Sequence, residues 1–574
     1  MKTKKTSYFK KSVIAFLTFP LMGITGSVLT SCADMLDTKS DMVGRVEDSK
    51  INTPEDSLNY VTGAIRCMQV IADRTLLLGE LRADLMTPSV DATTAIQQMA
   101  ANDFSAPNQY NNISDYYAVI NNCNYFIENA DTTLDRLGKK IFEKEYAVMK
   151  TYRAWTYLQL AKIYGKVPLI LKPLLTEKDA LAATQQKYAD INEICSYFID
   201  DLKPYVDTEY PKYGEMGTNK FASPKFFIPV RVLLGEMCLW TGRYEEACGY
   251  FYDLMTQKNN YLQTGVERGH WNVTNLDFTT ASMSYSFTWN SVKSDDLMSF
   301  IPMEDNEFYG VRSYIHDLFA STETNYYHYQ AGPSKALFDL SKAQNYCYVD
   351  KVSETQKDTV YAPKTGFRES YEAGDLRLAS CYNKRTINQD ETALYSSDYQ
   401  QIEKMSNGNF IPLYRRQQVY LMFAEALNRA GYPESAFCIL KYGLTNKNIE
   451  KYISEEERSK ASAYLGFNDD IFTENNTLGI HARGCGDVDC DTTYCIPANL
   501  SGEEEIKYVE DIIVTEMALE SAFEGKRFFD LMRIALRRND PAYLAEPISR
   551  RGGAKDEATY SRLMDTHNWY LPIQ

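Results

Sequence analysis

Aromatic side chains gather in a long polar stretch in the middle of the chain, outside any clear helical pattern. Two of the five tryptophans fall in it, Trp271 and Trp289, together with Tyr309, Tyr326 and Tyr327 among many amide and hydroxyl side chains. A sugar ring has one face of C–H bonds and a rim of hydroxyls. An aromatic ring can stack on that face, while polar side chains hydrogen-bond the rim. This composition favours saccharide binding without a chemical step, with ordinary packing as the alternative for each single ring.

The sequence lacks the motifs of several common catalytic classes. It contains no HExxH, GxxxxGK[ST] or GxSxG pattern, and its five histidines are scattered with no pair at i, i+4 spacing. Histidine-based nucleophilic chemistry and zinc hydrolysis are therefore poorly supported. A carboxylate pair for glycoside hydrolysis stays open, because 77 acidic residues always offer some pair at the needed separation. We predict a protein that is not an enzyme and needs no cofactor, with a surface glycan hydrolase as the alternative.

Three aspartates alternate in a loop rich in glycine and aspartate, as they do at the start of a calcium loop. They are Asp487, Asp489 and Asp491, and carboxylate oxygens suit a calcium ion. The twelfth position of such a loop would be Ala498, however, where a bidentate glutamate is needed. No metal is therefore assigned to this loop.

Six of the twelve cysteines lie within apolar helical patterns, where a cysteine behaves as a small buried hydrophobe, namely Cys67, Cys123, Cys195, Cys238, Cys248 and Cys438. A different environment surrounds Cys485, Cys490 and Cys495, which share the loop of the three aspartates. A disulfide is one interpretation there, but the sequence does not indicate which two would pair.

The first residues have the composition of a secretory signal. Five lysines accompany an apolar run that ends in the sequence LTSC at Cys32. The run is short for a membrane-spanning helix, which needs about 20 apolar residues, and LTSC looks like a bacterial lipobox. We therefore expect residues 1–31 to be removed as a lipoprotein signal peptide. Acyl chains on Cys32 would then anchor the protein on a membrane, with residues 32–52 as an exposed tether.

The chain is strongly acidic, with a formal net charge of -16. Such a surface repels nucleic acid and anionic lipid headgroups. No stretch after the signal is long and apolar enough to span a bilayer. The sequence thus predicts a soluble ectodomain with neutral or cationic partners and no nucleic-acid partner.

Helical spacing of apolar residues runs through most of the mature chain, most clearly from Tyr146 to Ile170. Polar residues such as Lys150 and Arg153 interrupt the apolar positions there, which predicts an amphipathic helix with a wide buried face. Gly165 and the proline after it end this helix near Tyr164. Other helices are predicted from Pro54 onwards, over residues 114–129 and over residues 188–202.

Two further segments, residues 226–255 and 420–440, each indicate a pair of helices joined at a glycine, as in a tetratricopeptide repeat. Small residues let the two helices of a pair approach closely, so that each pair can bury its face against the next. The sequence therefore predicts an all-α scaffold of tetratricopeptide-like helix pairs with long loop-rich insertions at residues 256–410 and 445–507. The first insertion is too long to be structureless, so we expect elements or a function in it.

Two sequence motifs are similar to those of a known family. RAWTYLQLAKIYGKVPLI (Arg153 to Ile170) resembles the helix and exit turn of SusD/RagB-like proteins, the nutrient-binding lipoproteins of Bacteroidota outer membranes. ESAFEGKRFFDLMR (Glu520 to Arg533) resembles the family's C-terminal motif, and ELRAD (Glu80 to Asp84) and the terminal NWYLPI are also similar to it. The sequence differs from the family's motif at Met517 and Ser521, where the family commonly has arginine and leucine. Ion pairing around that helix is therefore expected to differ.

The resemblance implies three regions in the mature chain. Residues 53–255 would form an N-terminal helical region with tetratricopeptide-like pairs, and residues 256–410 a loop-rich ligand-binding insertion. Residues 411–574 would form a C-terminal region with another helix pair and a loop insertion.

The resemblance also implies a function at the cell surface. Relatives capture a nutrient and deliver it to a SusC-like TonB-dependent outer-membrane transporter, so the expected ligand is an oligosaccharide, with a peptide as the alternative. Their binding site lies on loops, here between the loop after the first helix and the insertion aromatics. The ligand-binding residues implied are Arg82, Asn108, Tyr110, Trp271, Trp289, Tyr309, Tyr326 and Tyr327. For Arg82, pairing with only Asp84 or Glu80 is an equal alternative.

Overall fold

The computed structural model describes the chain from Ile51 to Ile573 with several gaps. The residues outside the description within that span are 52, 91, 184, 258–269, 273–281, 285–295, 306–309, 321–328, 346, 352–356, 362–373, 388–396, 406–407, 475–476 and 487–490. Cys32, the signal peptide and most of the tether lie outside it as well.

Helices dominate the described residues, which confirms the predicted all-α scaffold. Those before the first insertion are α1 (Pro54–Glu80), α2 (Thr94–Ala100), α3 (Ser114–Asn129), α4 (Glu143–Tyr164), α5 (Glu177–Ala183), α6 (Ile191–Leu202), α7 (Val230–Trp240) and α8 (Tyr244–Thr256). Those of the insertion are α9 (Ile315–Phe319), α10 (Lys335–Lys342) and α11 (Leu376–Cys381). The later ones are α12 (Arg416–Arg429), α13 (Pro433–Lys441), α14 (Asn446–Tyr452), α15 (Glu455–Lys460), α16 (Ala482–Cys485), α17 (Glu503–Ser521), α18 (Arg527–Arg538), α19 (Ala542–Ser549) and α20 (Glu557–Leu563). None of the described helices is long and apolar enough to cross a membrane.

Short strands in the described residues form two-stranded antiparallel sheets. In chain order they are β1 (Met86–Pro88), β2 (Asp135–Arg136), β3 (Lys139–Lys140), β4 (Val167–Pro168), β5 (Tyr188–Ala189), β6 (Glu215–Met216), β7 (Phe221–Ala222), β8 (His270–Asn272), β9 (Ser282–Ser284), β10 (Leu297–Pro302), β11 (Ala331–Pro333), β12 (Cys347–Lys351), β13 (Lys357–Tyr361), β14 (Tyr382–Ile387), β15 (Ser397–Ile402) and β16 (Phe410–Arg415). Two pairs join distant segments, β1 with β11 and β10 with β16. The first insertion thus has elements of its own, as its length predicted.

Helix α4 is buried on every side rather than along one face. It ends at Tyr164 as predicted, and Gly165 follows with a φ of 76°. The helix contacts α1, α3, α6 and α7, so its polar residues are enclosed too. Arg153 donates to Asn124 and Asp201, and Lys162 pairs with Glu236. The buried face is therefore wider than the amphipathic pattern predicted, because partners from neighbouring helices satisfy the polar side chains.

The two predicted helix pairs are formed by α7 with α8 and by α12 with α13. Each pair turns at the expected glycine, Gly242 with a φ of 72° and Gly431 with a φ of 93°, a backbone region that glycine enters without a Cβ clash. Within the first pair, a side chain at Gly235 would overlap the ring of Phe251. Helix α12 then packs on α8, so the pairs share one core.

The ELRAD and EGKRFFD motifs, more than 400 residues apart, meet where α1 ends. A side chain at Gly79 would overlap the carbonyl group of Gly525, so the two backbones touch. The Glu80 carboxylate accepts hydrogen bonds from the backbone N–H groups of Gly525 and Lys526, at 2.9 and 3.2 Å. Arg527 forms a bidentate pair with Asp84. These contacts make the end of α1 and the turn between α17 and α18 a single joint.

A glutamine at Glu80 is expected to change the pH dependence of stability. Burial raises the pKa of Glu80 from 4.5 to about 7. The hydrogen bonds that its carboxylate accepts from backbone N–H groups lower the pKa, but they do not outweigh burial. The folded protein therefore keeps a proton there at pH values where the unfolded chain has released it, so the free energy of unfolding falls as pH rises from about 4.5 through 7. Glu80→Gln should remove up to about 3 kcal/mol of that fall.

Urea unfolding at pH 5 and pH 8 measures this difference. Glu177 is an exposed glutamate, and the variant Glu177→Gln is therefore the matched control. It should keep the wild-type pH profile. If Glu80→Gln also keeps the wild-type profile, Glu80 is ionised in the folded protein at both pH values and the predicted linkage is wrong.

A buried ion cluster fixes both insertions on α17. We use this term for Asp375, Arg377, Lys404, Arg415, Arg483, Glu516, Glu520 and Glu524, all of which are at most 5% exposed. The glutamates lie on α17 and its exit turn, whereas the cations come from the insertions and β16. Around Met517 and Ser521, the carboxylates of α17 are thus paired with cations from outside the helix.

Candidate functional site

The loop after α1 and the first insertion meet at the β1–β11 pair. Met86 lies opposite Pro333, and Pro88 lies opposite Ala331. Beyond the strands, the backbone N–H of Ser89 donates to the carbonyl oxygen of Gln330 at 2.9 Å, and its hydroxyl donates to the carbonyl oxygen of Tyr329 at 2.6 Å. The backbone of the insertion therefore lies against the N-terminal loop two residues after Tyr327.

Further contacts hold this junction together. The backbone N–H of Thr93, just before α2, donates to the side-chain oxygen of Gln330 at 2.6 Å. Val90, at the tip of the loop, is 95% exposed. The junction therefore combines a fixed backbone with an exposed apolar tip, a combination suited to positioning a ligand at the surface.

Arg82 lies inside the protein and has no exposed atom for a ligand. It is 0% exposed, and its Nε and Nη2 donate to the side-chain oxygen of Asn102 at 2.9 Å and to the carbonyl oxygen of Trp569 at 2.7 Å. Its guanidinium also stacks 3.9 Å from the centre of the Phe528 ring. Burial lowers the pKa of Arg82 to about 9. Arg82 thus ties the loop to the C-terminal motif, and its described partners are neither Asp84 nor Glu80, the alternatives that the sequence suggested.

Asn108 shapes its loop from within, while Tyr110 reaches the surface. The Asn108 amide donates to the carbonyl oxygen of Ala95 and to the side chain of Gln98, and its own oxygen accepts from the backbone N–H of Tyr110. Asn108 is only 6% exposed. The structure thus gives Asn108 a structural role, and of the two only Tyr110 is partly exposed.

The insertion aromatics lie mostly outside the described residues. Trp271 is in β8, paired with Met283 of β9, but only its backbone is described. Trp289, Tyr309, Tyr326 and Tyr327 lie outside the description altogether. Their part in the site stays a prediction.

A surface groove of about 330 Å³ adjoins the junction, with β1 and α2 on one side and the segment from α19 to α20 on the other. Its apolar lining consists of small or compact residues, namely Pro88, Ala100, Ala101, Ile548, Gly552 and Ala554. Its polar lining consists of Thr87, Gln97, Ser549, Arg551, Asp556 and Thr559. A volume at the lower end of the ~300–1,000 Å³ range of ligand sites fits a small molecule or one end of a longer one.

Arg551 is the one cation among the residues that line the groove. Its Nε donates to the carbonyl oxygen of Ala83 at 2.7 Å and its Nη2 to that of Leu81 at 2.9 Å. Burial lowers the pKa of Arg551 to about 10, although Asp84 and Asp556 act against this. The guanidinium therefore keeps its charge at neutral pH and is held rigidly by the end of α1.

The described part of the loop with Asp487, Asp489 and Asp491 does not support a calcium site. Asp491 caps a turn, with one carboxylate oxygen accepting from Thr493 and Tyr494, while Asp487 and Asp489 lie outside the description. In the described part of the chain, no three His, Cys, Asp or Glu residues cluster as metal ligands do. Cys485 and Cys495, predicted as disulfide candidates, are both free.

Solved structures share this architecture over nearly their full length. A SusD superfamily protein of Bacteroides thetaiotaomicron matches with a TM-score of 0.55 and 15% identity, over 91% of this chain and 96% of the other. A SusD superfamily protein of Bacteroides fragilis matches with a TM-score of 0.55 and 16% identity, over 89% and 95%. A SusD-like carbohydrate binding protein of Bacteroides vulgatus matches with a TM-score of 0.51 and 17% identity, over 84% of each chain.

The chain has the SusD-like fold. This confirms the resemblance that the two motifs indicated. No protein-family model matches the sequence, and neither does any curated protein. At this level of identity the similarity shows the fold, so the ligand has to be inferred from the residues of the site.

The groove of this SusD-like chain was missed by reasoning from the sequence. Its walls come from residues 87–101 and 548–559, which no motif connects. The one available indication was the sequence RRGG at Arg550 to Gly553, a pair of arginines next to a flexible turn in an acidic chain. Nothing in that tetrapeptide indicates which arginine turns inward.

Proposed function

We propose that this SusD-like protein captures an oligosaccharide at the cell surface and delivers it to a SusC-like TonB-dependent transporter, without covalent chemistry. The observation that carries the proposal is the SusD-like fold with its N-terminal loop paired to the aromatic-rich insertion through β1 and β11. One solved neighbour with this fold is a carbohydrate binding protein. The composition of the insertion, in which aromatic rings occur among many hydroxyl and amide side chains, suits a saccharide.

The ligand would lie on the surface formed by Tyr110, the tip of the β1 loop and the insertion aromatics. Val90 is exposed there, and Gln330 is already fixed by Thr93. Stacking on the rings would orient the sugar, while the polar side chains would hydrogen-bond its hydroxyls. Such binding needs no acid or base, which agrees with a protein that holds and hands over its ligand.

Isothermal titration of the full chain in mild detergent tests this function. The titrants are a panel of neutral and acidic oligosaccharides and a set of peptides, with the mixtures checked for products by chromatography. Saturable binding of a glycan with no product is the expected result. Binding of peptides alone would replace the glycan by a peptide, and product formation would show a hydrolase.

Removing two insertion tryptophans together should weaken glycan binding. We expect Trp271→Ala with Trp289→Ala to raise the Kd by about tenfold or more, since aromatic contacts contribute about 0.5–1.5 kcal/mol each beyond their buried area. Tyr197→Ala, which removes a 38% exposed ring on α6, is the control and should leave the Kd unchanged. An unchanged Kd in the double variant would place the ligand elsewhere.

Cys32 is expected to anchor the protein on the outer membrane through its acyl chains. Cys32→Ala removes the residue that would carry the acyl chains, and stable anchoring needs two or more such chains. The variant should therefore move from the membrane fraction to the soluble fraction. Cys495→Ala changes an exposed free cysteine and should remain with the membranes. Retention of the Cys32 variant on salt-washed membranes would exclude a lipid anchor at this residue.

A further inference from the structure

We propose that the groove beside β1 binds a carboxylate-bearing sugar unit, such as a uronic acid, with Arg551 as the residue that recognises its carboxylate. This inference rests on the proposed function, because it names the class of saccharide and the subsite that selects it. The groove would hold one end of the chain, while the remainder lies on the junction.

Arg551 has the geometry of a prepared anion site. Two backbone carbonyl groups, of Leu81 and Ala83, hold its Nε and Nη2. Nη1 and the second N–H of Nη2 make no hydrogen bond within the described residues, and no described carboxylate forms an ion pair with this arginine. Those N–H groups lie on one edge of the planar guanidinium, the arrangement that binds a carboxylate through two parallel hydrogen bonds.

Four other polar side chains of the groove, those of Asp556, Thr559, Ser549 and Gln97, already have hydrogen-bond partners within the protein. The two carboxylate oxygens of Asp556 accept from the backbone N–H groups of Ala558 and Thr559 and from the Thr559 hydroxyl. The hydroxyl of Ser549 donates to the carbonyl oxygen of Glu546, and the amide of Gln97 donates to that of Ala92. A ligand that satisfies Arg551 must therefore bring its own acceptor.

The size and lining of the groove restrict the rest of the ligand. Ala100, Ala101 and Ala554 give it a shallow apolar floor without an aromatic ring. This floor fits the C–H face of one sugar ring, and the volume of about 330 Å³ leaves little room for more.

The groove continues into the proposed glycan surface. Thr87 and Pro88 line the groove and are also the residues of β1 that pair with Gly332 and Ala331. A chain bound across the junction can therefore place its terminal unit beside Arg551 without leaving the surface.

The acidic character of the whole protein does not oppose this site at short range. The formal charge of -16 is spread over 574 residues, and charges beyond about 8 Å are largely screened at physiological ionic strength. Of the nearest carboxylates, Asp84 is paired with Arg527. Asp556, which lines the groove, accepts hydrogen bonds from Ala558 and Thr559, so Arg551 is the groove charge that keeps N–H groups for a ligand.

Titration of the full chain with matched saccharides tests the inference. The probes are short oligogalacturonides and glucuronate-containing disaccharides, each against its neutral counterpart built from galactose or glucose. We expect an acidic saccharide to bind at least about tenfold more tightly than its neutral counterpart. Arg551→Lys, which keeps the charge and loses the planar fork, should remove most of that preference.

A second variant blocks the groove while Arg551 keeps its hydrogen bonds to Leu81 and Ala83. Ala554→Trp fills the groove from an exposed position, and Ala558→Trp places the same side chain on an exposed position of α20 outside the groove lining. The first should weaken acidic binding at least tenfold, and the second should leave it unchanged. Circular dichroism melting of each variant verifies that it is folded.

The outcomes separate this inference from the proposed function. Saturable binding of neutral glycans alone would overturn the carboxylate site and leave glycan capture in place. Acidic binding that both Arg551→Lys and Ala554→Trp leave unchanged would also overturn it. Failure of every saccharide to bind, or binding of acidic peptides alone, would overturn both.

Discussion

Glu520→Gln should lower the free energy of unfolding by about 3–5 kcal/mol, the usual cost of leaving buried charges uncompensated. Its Oε1 accepts from Arg415 at 3.2 Å and from Arg483 at 3.3 Å, and its Oε2 accepts from Arg483 at 3.0 Å and Arg377 at 3.4 Å. A neutral amide removes the charge that compensates these cations and brings an N–H group towards them. Urea unfolding at neutral pH measures the loss.

The pKa of Glu520 gives the reason for the size of this effect. Burial alone would raise it, but Arg483, Arg415 and Arg377 outweigh burial and lower the pKa to about 2. The carboxylate is therefore ionised throughout the neutral range, and its stabilising contribution is lost only as pH falls from about 4.5 towards 2.

A surface carboxylate provides the matched control. Glu546 pairs with Arg550 and Lys555, but its side chain is 40% exposed. Glu546→Gln should leave the unfolding free energy nearly unchanged, as is usual for exposed pairs. If Glu520→Gln proved as mild as this control, the buried ion cluster would contribute specificity rather than stability.

Gly525→Ala should cost about 3 kcal/mol or more, because two independent penalties add. Gly525 has a φ of 77°, where a Cβ costs about 1–2 kcal/mol. That Cβ would also overlap the carbonyl oxygen of Thr75 and lie 2.7 Å from the Cα of Leu76, and overpacking of this kind costs about 1–3 kcal/mol. The joint between α1 and α18 has to open for the side chain to fit.

Gly249→Ala tests the same change without either penalty. Gly249 lies inside α8, and a Cβ there meets no atom within 4 Å. Since alanine is the better helix former, this variant should gain about 0.5–1 kcal/mol in urea unfolding. A Gly525 variant as stable as the wild type would mean that the two backbones do not approach closely.

Local patterns were enough to predict several of the longer helices. Ser114–Asn129 agrees with its predicted bounds, and the turns at Gly242 and Gly431 were placed correctly. Trp155 and Trp240, which lie in predicted helices, and Trp569 of the terminal motif are at most 8% exposed. These features depend on periodicity and on the conformational freedom of glycine, which neighbouring residues in the sequence determine.

The candidate site was predicted less well. The sequence marked the loop after α1 and the insertion, and the structure brings their backbones together at β1 and β11. It also marked Arg82, which the structure buries, and it passed over Arg551, which lines the groove. An arginine in a loop has the same sequence environment whether it faces a ligand or the core.

The sequence by itself determined several of the longer helices, the tetratricopeptide-like pairs and the similarity to SusD-like proteins. Only the tertiary structure decided which polar side chains are buried, because their partners lie far away in the chain. Glu80 meets Gly525, Asp84 meets Arg527, and Glu520 meets Arg377. Burial of a charge is stable only when such a partner is present, and no local pattern encodes a partner more than a hundred residues away.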